Sequence, residues 1–187
     1  VLLVMDLETK KPIILSGTAD YARIVQFFWL NDERIGFYKQ PTRGLDAYDL
    51  WAIDIDGKNL KKLVPGKWED GYATGASVSF LMDDDPDHVL IEYNKRRPKY
   101  TDIYKLNIYS GRLTTLAIDP VLGNNTLMGW AIDQQGNVRG YMAMDGLKYK
   151  LYHRNNVDED FALLREFTYQ EAMFMPQTYD YDPRYVY

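Results

Sequence analysis

Two stretches of the chain share one pattern: residues 50–63 read LWAIDIDGKNLKKL, and residues 103–116 read IYKLNIYSGRLTTL. In each, apolar residues alternate with polar ones, and a polar break containing Gly57 or Gly111 leads into a second short apolar run. Alternation with a period of two indicates a strand with one buried face, and glycine tolerates the positive φ of tight turns. Each stretch is therefore predicted to form a β-hairpin. Because the glycine comes one position later in the second stretch, the two turn types are expected to differ.

The same pattern occurs twice more. One copy opens the chain over residues 3–15, and a looser copy covers residues 149–164. Residues 158–166 within the looser copy could also form a short helix. We interpret them as a long turn followed by an outer strand, because no sustained apolar stripe of helical period is present.

Hairpins of a second kind alternate with these copies along the chain. They cover residues 24–38, 76–93, 126–142 and 172–187. Their aromatic positions Trp29, Phe80, Trp130 and Tyr179 follow one another at intervals of 51, 50 and 49 residues. Two hairpins per repeat give four antiparallel strands, and a repeat of roughly 40–50 residues with four strands is typical of a β-propeller blade.

The sequence therefore predicts an all-β chain that forms about four blades' worth of four-stranded antiparallel sheets. The expected parts are a half blade over 1–15, blades over 22–65, 74–117 and 126–167, and a half blade over 172–187. The two half blades could pair to close a small ring. We favour the alternative, an arc of a larger propeller cut from a longer polypeptide, whose unpaired blade edges would allow self-association.

Composition excludes several functions. The 187 residues carry a net charge of −5, which argues against nucleic acid as a partner. No apolar run approaches the ~18 residues needed to span a membrane. The absence of cysteine removes disulfides, thiol nucleophiles and cysteine-based zinc sites. It leaves the compartment open between cytoplasm and periplasm.

Residues 50–57 and 102–111 resemble the outer hairpins of TolB-type propellers. Together with SGRLTTL at 110–116 and the Gly-Trp, Asp, Gly and Val-Arg positions of 129–139, they resemble more closely the amino-terminal propeller of the prolyl oligopeptidase family. The similarity is to its branch of dipeptidyl aminopeptidases and acylaminoacyl peptidases. In that family the propeller caps an α/β-hydrolase domain that carries a Ser, Asp, His triad, and it limits access to peptides.

The resemblance implies a non-catalytic role: gating and orienting peptide substrates for a hydrolase domain that this chain lacks. The nucleophile motif Gly-x-Ser-x-Gly is absent, since the nearest match, residues 75–79, lacks the final glycine and places Ser77 in a predicted inner strand. We therefore assign no catalytic, cofactor or metal residue, and expect the hydrolase domain and peptides as partners. The alternatives are a TolB-like interaction propeller without an enzyme and, more weakly, a sugar or lactone enzyme with a metal in the central channel.

Four other features have a simple structural interpretation. His88 and His153, the two histidines, are expected at half-buried or surface positions. The acidic run 83–87 is interpreted as a solvated connection, with calcium binding as the alternative. Residues 54–57 match part of an EF-hand loop but are interpreted as a strand end and a turn. The basic run 95–99 is predicted to lie in a solvated loop between the second and third strands of a blade, with contact to an acidic domain surface as the alternative.

Overall fold

The computed structural model describes residues 1–16, 22–40, 47–120, 125–168, 170–171, 179 and 185. Within these ranges the chain contains β-strands, turns and bends but no α-helix, so the all-β prediction is confirmed there. Accordingly, the described residues contain no helix of the length and apolar character required to cross a membrane. The half blade predicted over 172–187 lies outside the described residues, apart from Tyr179 and Tyr185.

Sixteen strands follow one another along the described chain. They are β1 (Leu2–Met5), β2 (Pro12–Ser16), β3 (Arg23–Asn31), β4 (Arg34–Gln40), β5 (Asp49–Asp54), β6 (Lys61–Val64), β7 (Lys67–Glu69), β8 (Tyr72–Thr74), β9 (Ala76–Leu81), β10 (His88–Arg97), β11 (Tyr100–Asn107), β12 (Leu113–Ala117), β13 (Thr126–Ile132), β14 (Val138–Asp145), β15 (Lys148–His153) and β16 (Ala162–Thr168).

The strands form three four-stranded sheets and two two-stranded hairpins. In the four-stranded sheets β3–β6, β9–β12 and β13–β16, each strand pairs with its neighbour in sequence; the separate hairpins are β1–β2 and β7–β8. The strands β4 and β5, for example, pair antiparallel with Phe37 opposite Trp51. Each predicted hairpin that falls on described residues is present. Residues 158–166 form a turn and most of β16, as interpreted from the sequence.

The chain divides into two compact units, residues 1–115 and 116–187. In the first unit, the sheet β3–β6 is covered on both faces. One face packs Leu50 and Val64 against Val89 and Leu106 of the sheet β9–β12. The other face belongs to a second cluster, in which Leu2 and Leu15 of the hairpin β1–β2 pack against Ile35, Phe37 and Ile53. The hydrophobic effect thus stacks three successive β-elements face to face.

A contact at the hairpin turns repeats along this stack. Gly57, in the turn after β5, lies over the β2 backbone, and a Cβ built on it would be 3.7 Å from the carbonyl oxygen of Ile14. Gly111, in the turn after β11, lies over β6 in the same way, and its Cβ would be 3.5 Å from the carbonyl oxygen of Leu63. Each turn therefore rests on the last strand of the preceding element. The stacking of β3–β6 on β1–β2 is repeated by β9–β12 on β3–β6.

These two turns have the different geometries that the sequence predicts. Both glycines have positive φ, 83° for Gly57 and 76° for Gly111. The amide of Gly57 donates to the carbonyl of Asp54, three residues back, whereas that of Gly111 donates to Asn107, four residues back. The extra residue is absorbed by a wider turn, which leaves the strands on either side equivalent.

The second unit contains the sheet β13–β16. Met142, Leu151 and Phe167 form a buried cluster on it. Tyr141 stacks on Tyr152 with ring centroids 4.6 Å apart, and other aromatic rings pack edge-on against Tyr141. Tyr141 and Tyr152 therefore serve as packing surface of a pleated sheet.

The hairpin β7–β8 is an element that the sequence interpretation left out, since residues 66–73 fell between two predicted blades. Its turn is Asp70–Gly71, with φ of 50° and 80°. Asp-Gly between short β-prone runs is a strong hairpin signal, because both central residues of this turn need positive φ. The strands are three residues each, too short for alternation to reveal them.

Candidate functional site

A groove opens in the first unit between the sheets β3–β6 and β9–β12, at the end where β3 turns into β4 and β9 turns into β10. We call it the acidic groove; its volume is about 560 Å³, within the usual range of ~300–1,000 Å³ for ligand clefts. Its lining residues are Trp29, Leu30, Asn31, Asp32, Glu33, Leu81, Met82, Asp83, Pro86, Asp87 and Tyr109. None of these eleven residues is a lysine, arginine or histidine.

The apolar surface of the acidic groove is unusually exposed. Trp29, near the end of β3, is 53% exposed, and Leu81, the last residue of β9, is 44% exposed. Alternation explains both positions: the buried residues of β3 and β9 face the sheet packing, so every second residue points away from it. The groove thus presents a tryptophan and a leucine to solvent.

Carboxylates surround this apolar surface. Asp32 and Glu33 come from the turn after β3, and Asp83 and Asp87 from the turn after β9. Their side chains are exposed, and within the described part of the chain no ion pair involves any of them. The groove therefore has four uncompensated carboxylates at its rim.

Asp85, in the same acidic turn, behaves differently. Its Oδ2 lies 2.6 Å from Nζ of Lys105, and its Oδ1 lies 2.8 Å from Nδ1 of His88. Hydrogen bonds from Lys105 and then His88 hold the pKa of Asp85 below its ordinary value. Asp85 therefore anchors the turn to β10 and β11, and the other carboxylates are left facing the groove.

Asn31 joins the two walls of the groove. Its Nδ2 donates to the carbonyl oxygen of Pro86 at 2.9 Å and to the hydroxyl of Tyr109 at 3.1 Å. These bonds link the end of β3 to two turns of the neighbouring sheet. The groove is consequently formed by residues that are already held in place.

Arg34 lies behind Tyr109 and is 1% exposed. Its guanidinium forms a hydrogen-bonded ion pair with Asp54, donates to the carbonyls of Asn59 at 3.0 Å and Ile108 at 2.9 Å, and lies 5.0 Å from the centroid of the Tyr109 ring. Its charge is balanced by Asp54 inside the protein. It acts as a link between the sheets and does not offset the carboxylates of the groove.

A second groove of about 360 Å³ lies between β3 and β9 and includes Ser77 and Tyr38. The backbone amide of Val78 donates to the Tyr38 hydroxyl at 2.9 Å. Ser77 is an exposed residue of β9, opposite Glu92 in register. It lies within a strand and not at a strand-to-helix turn, so it lacks the geometry of a nucleophile elbow.

The two histidines are half-buried, as expected from the sequence, and each lies at the end of a strand. His88 begins β10, and in addition to Asp85 its Nε2 lies 3.3 Å from Nδ2 of Asn107. His153 ends β15 and its Nδ1 lies 3.2 Å from the hydroxyl of Tyr179. Burial, followed by the charge of Arg139, lowers the pKa of His153 below its ordinary value. Both are half-buried and hydrogen-bonded to other side chains.

Of the remaining sequence features, the acidic run 83–87 and residues 54–57 have the local structures predicted for them, whereas the basic run 95–99 does not. Residues 83–87 connect β9 to β10, and residues 54–57 form the end of β5 and its turn, with Asp56 paired to Lys58 at 2.8 Å. Among the described residues no three histidine, aspartate or glutamate side chains converge as metal ligands. The basic run 95–99 is predicted to be a loop, but its first three residues, Lys95, Arg96 and Arg97, are the end of β10, and only residues 98–99 form the turn to β11. The strand extends this far because Arg97 pairs with Tyr100 on β11 and Arg96 binds the buried Asp102 through two hydrogen bonds of 3.1 and 3.0 Å.

Sequence reasoning did not single out Arg34, Asn31 or Trp29 as residues of a groove. An arginine at the start of a buried strand was the available signal for Arg34, because a cation there needs an internal partner. The groove itself has no linear signal, since its two walls come from turns about fifty residues apart in the sequence.

Comparisons with known proteins give limited similarity. No protein-family model matches the chain. Over 100 residues, 53% of its length, the chain is 30% identical to dipeptidyl aminopeptidase BIII of Pseudoxanthomonas mexicana, and the matched stretch spans 14% of that protein. A solved oligogalacturonate lyase in complex with manganese aligns with 80% of this chain and 38% of its own, at 14% identity and a TM-score of 0.46. That TM-score is too low to assign a fold. The chain is thus an all-β protein with distant sequence similarity to a segment of a dipeptidyl aminopeptidase.

Proposed function

We propose that the chain is an arc of a β-propeller that forms the non-catalytic part of a serine peptidase related to the prolyl oligopeptidase family. Its role is to gate and orient peptide substrates for an α/β-hydrolase domain. The observation that carries the proposal is the 30% identity over 100 residues to dipeptidyl aminopeptidase BIII. The family motifs in residues 102–116 and 129–139 point the same way.

The packing of the first unit supports the propeller part of the proposal. Blades of a propeller are four-stranded meanders that stack face to face around an axis. The sheets β3–β6 and β9–β12 are such meanders, and the contacts of Gly57 with β2 and Gly111 with β6 repeat one stacking relationship. In this arrangement the hairpin β1–β2 takes the place of the outer two strands of the preceding blade.

In a propeller the first strand of each blade lines the central channel. On β3 this strand exposes Val25, Phe27 and Trp29, and on β9 it exposes Ser77, Ser79 and Leu81. A passage with large apolar side chains on one blade and two serines and a leucine on the next would contact an extended peptide along one side. Such a surface can select substrates by size without taking part in the chemistry.

The proposal is tested with the 187-residue chain and the full-length gene product that contains it, using dipeptidyl p-nitroanilides. The chain alone is expected to give no turnover, whereas the full-length protein is expected to hydrolyse them and to be inactivated by a serine-directed reagent. Turnover by the chain alone, or a full-length sequence without a Gly-x-Ser-x-Gly motif followed by Asp and His, would contradict the proposal.

The gating role needs a separate measurement in the full-length protein. Phe27→Ala widens the proposed channel, so it should raise kcat/KM for longer peptides and leave the shortest substrate unchanged. Leu164→Ala, an equally exposed apolar position on β16, is the matched control. Equal effects of both variants, or an equal effect on short and long peptides, would argue against gating by β3.

A TolB-like interaction propeller without an enzyme is the second candidate. The exposed apolar side chains on the edge strand β3 favour it, because such edges commonly bind partners. The full-length reading frame separates the two candidates: a downstream hydrolase motif supports the peptidase, and its absence supports the interaction module.

A further inference from the structure

The acidic groove combines two kinds of surface that suit one class of ligand. Its floor contains the exposed indole of Trp29 and the side chain of Leu81. An indole face attracts cations and also packs against the aliphatic stem of a lysine or arginine. The floor therefore favours a ligand with long, flexible cationic side chains and adjacent apolar groups.

The charges on the rim point to the same class. Asp32, Glu33, Asp83 and Asp87 come from two turns on opposite walls. They do not form a converging set of metal ligands among the described residues. Carboxylates distributed along a groove match several positive charges spaced along a chain better than one compact ion.

The groove is also prepared for binding. The bonds from Asn31 to Pro86 and Tyr109 hold its walls together, and the pairs of Asp85 with Lys105 and His88 hold the acidic turn. A site that is already ordered loses less conformational entropy when a ligand binds.

We propose that the acidic groove binds an extended peptide segment rich in lysine or arginine with interspersed apolar residues. The cationic side chain lies on Trp29 with its charge toward the carboxylates of the two turns, and a neighbouring apolar residue contacts Leu81. This inference goes beyond the proposed peptidase role. It requires no catalytic domain and is measured without activity.

The test measures fluorescence polarisation of a fluorescein-labelled Lys-Leu-Lys-Leu-Lys peptide with the full-length gene product. We expect saturable binding that weakens when salt is raised. The pair Asp32→Asn with Asp83→Asn is expected to raise Kd about tenfold through lost charge complementarity. The matched control, Asp158→Asn with Asp160→Asn, removes the same charge from an exposed turn of the second unit and should change Kd less than about twofold.

A second pair of variants tests the floor. Trp29→Leu should raise Kd about fivefold through loss of the indole face, whereas Trp68→Leu, a similarly exposed tryptophan on β7, should leave Kd unchanged. Circular dichroism verifies that every variant is folded.

Four outcomes would overturn the proposal. The first is that the double variant Asp32→Asn with Asp83→Asn and its charge-matched control weaken peptide binding equally. The second is that a Glu-Leu-Glu-Leu-Glu peptide binds as tightly as the lysine peptide. The third is competition by micromolar calcium, which would identify an ion site. The fourth is concentration-dependent self-association that is lost in the double variant Asp32→Asn with Asp83→Asn, which would identify a second copy of the chain as the occupant.

Discussion

Nε of Arg34 on β4 donates to the carbonyl oxygen of Ile108, just after β11, at 2.9 Å. The bond joins two separate sheets, and the same guanidinium pairs with Asp54 at the end of β5 and donates to Asn59 in the connection between β5 and β6. The Arg34 side chain that makes these interactions is only 1% exposed. A buried arginine is tolerated when its charge is paired and its nitrogens are hydrogen-bonded, and here each of the three guanidinium nitrogens has a partner.

Arg34→Met should therefore destabilise the chain by about 3 kcal/mol, because it removes the cation paired with Asp54 and the donor to two carbonyls. Urea unfolding measures the loss. Arg34→Lys, the control that keeps the charge, should recover only part of it, since an ammonium cannot reach three acceptors in a fixed fork. In a double-mutant cycle with Asp54→Asn the two effects should be strongly non-additive; additive effects would show that the ion pair contributes little.

Gly66, which lies between β6 and β7 in the sequence, packs closely against the backbone of Tyr48. A Cβ on Gly66 would lie 2.5 Å from the carbonyl carbon and oxygen of Tyr48, and backbone atoms cannot move aside as a flexible side chain can. Gly66→Ala should cost about 2–3 kcal/mol. This corresponds to a fall in Tm of about 5–10 °C for a chain of this length.

Gly75→Ala is the matched control for that substitution, since its Cβ would lie 3.4 Å from the carbonyl oxygen of the same Tyr48. We expect a change in the free energy of unfolding within about 1 kcal/mol. Comparable losses in both variants would show that the close approach at Gly66 does not determine stability.

Glu92 on β10 predicts a pH dependence of stability. Burial raises the pKa of its carboxyl above the ordinary value of 4.5. The folded chain then binds more protons than the unfolded chain between the two pKa values, so this carboxyl lowers stability as pH rises through that window. Well below pH 4.5 the carboxyl is protonated in both states and has no such effect.

Glu92→Gln should consequently be more stable than the native chain at about pH 7, and the difference should shrink toward about pH 4. Thermal unfolding across that pH range measures it. Glu8→Gln, which removes the same charge from an exposed position, should show no such convergence. A difference in stability between Glu92→Gln and the native chain that stays constant at all pH values would contradict a raised pKa for Glu92.

Trp51 on β5 is unusual in the described part of the chain because its buried Nε1 has no hydrogen-bond partner. Trp51→Phe removes that donor along with some packing surface. Because an unsatisfied buried donor costs about 1–3 kcal/mol, the two effects should nearly cancel and stability should change by less than ~1 kcal/mol. The control Trp130→Phe, a buried indole with further interactions, should lose more, about 1–2 kcal/mol.

Sequence reasoning reached much of the fold because hairpins are local. The alternation in residues 50–63 and 103–116 and the glycines at 57 and 111 were enough to predict strands and turns that the structure contains. The hairpin β7–β8 was missed because its strands are too short for alternation to be visible. Its Asp70–Gly71 turn was the only signal available.

Local sequence is enough to specify the repeated antiparallel hairpins, since a period of two with intervening turns depends on near neighbours along the chain. The tertiary structure decided which side chains meet between sheets. Arg34 reaches Ile108, 74 residues away in the chain, and Trp29 lines the same groove as Asp83, only after the sheets are stacked by burial of their apolar faces. Contacts of that kind are set by packing, which has no linear pattern to read.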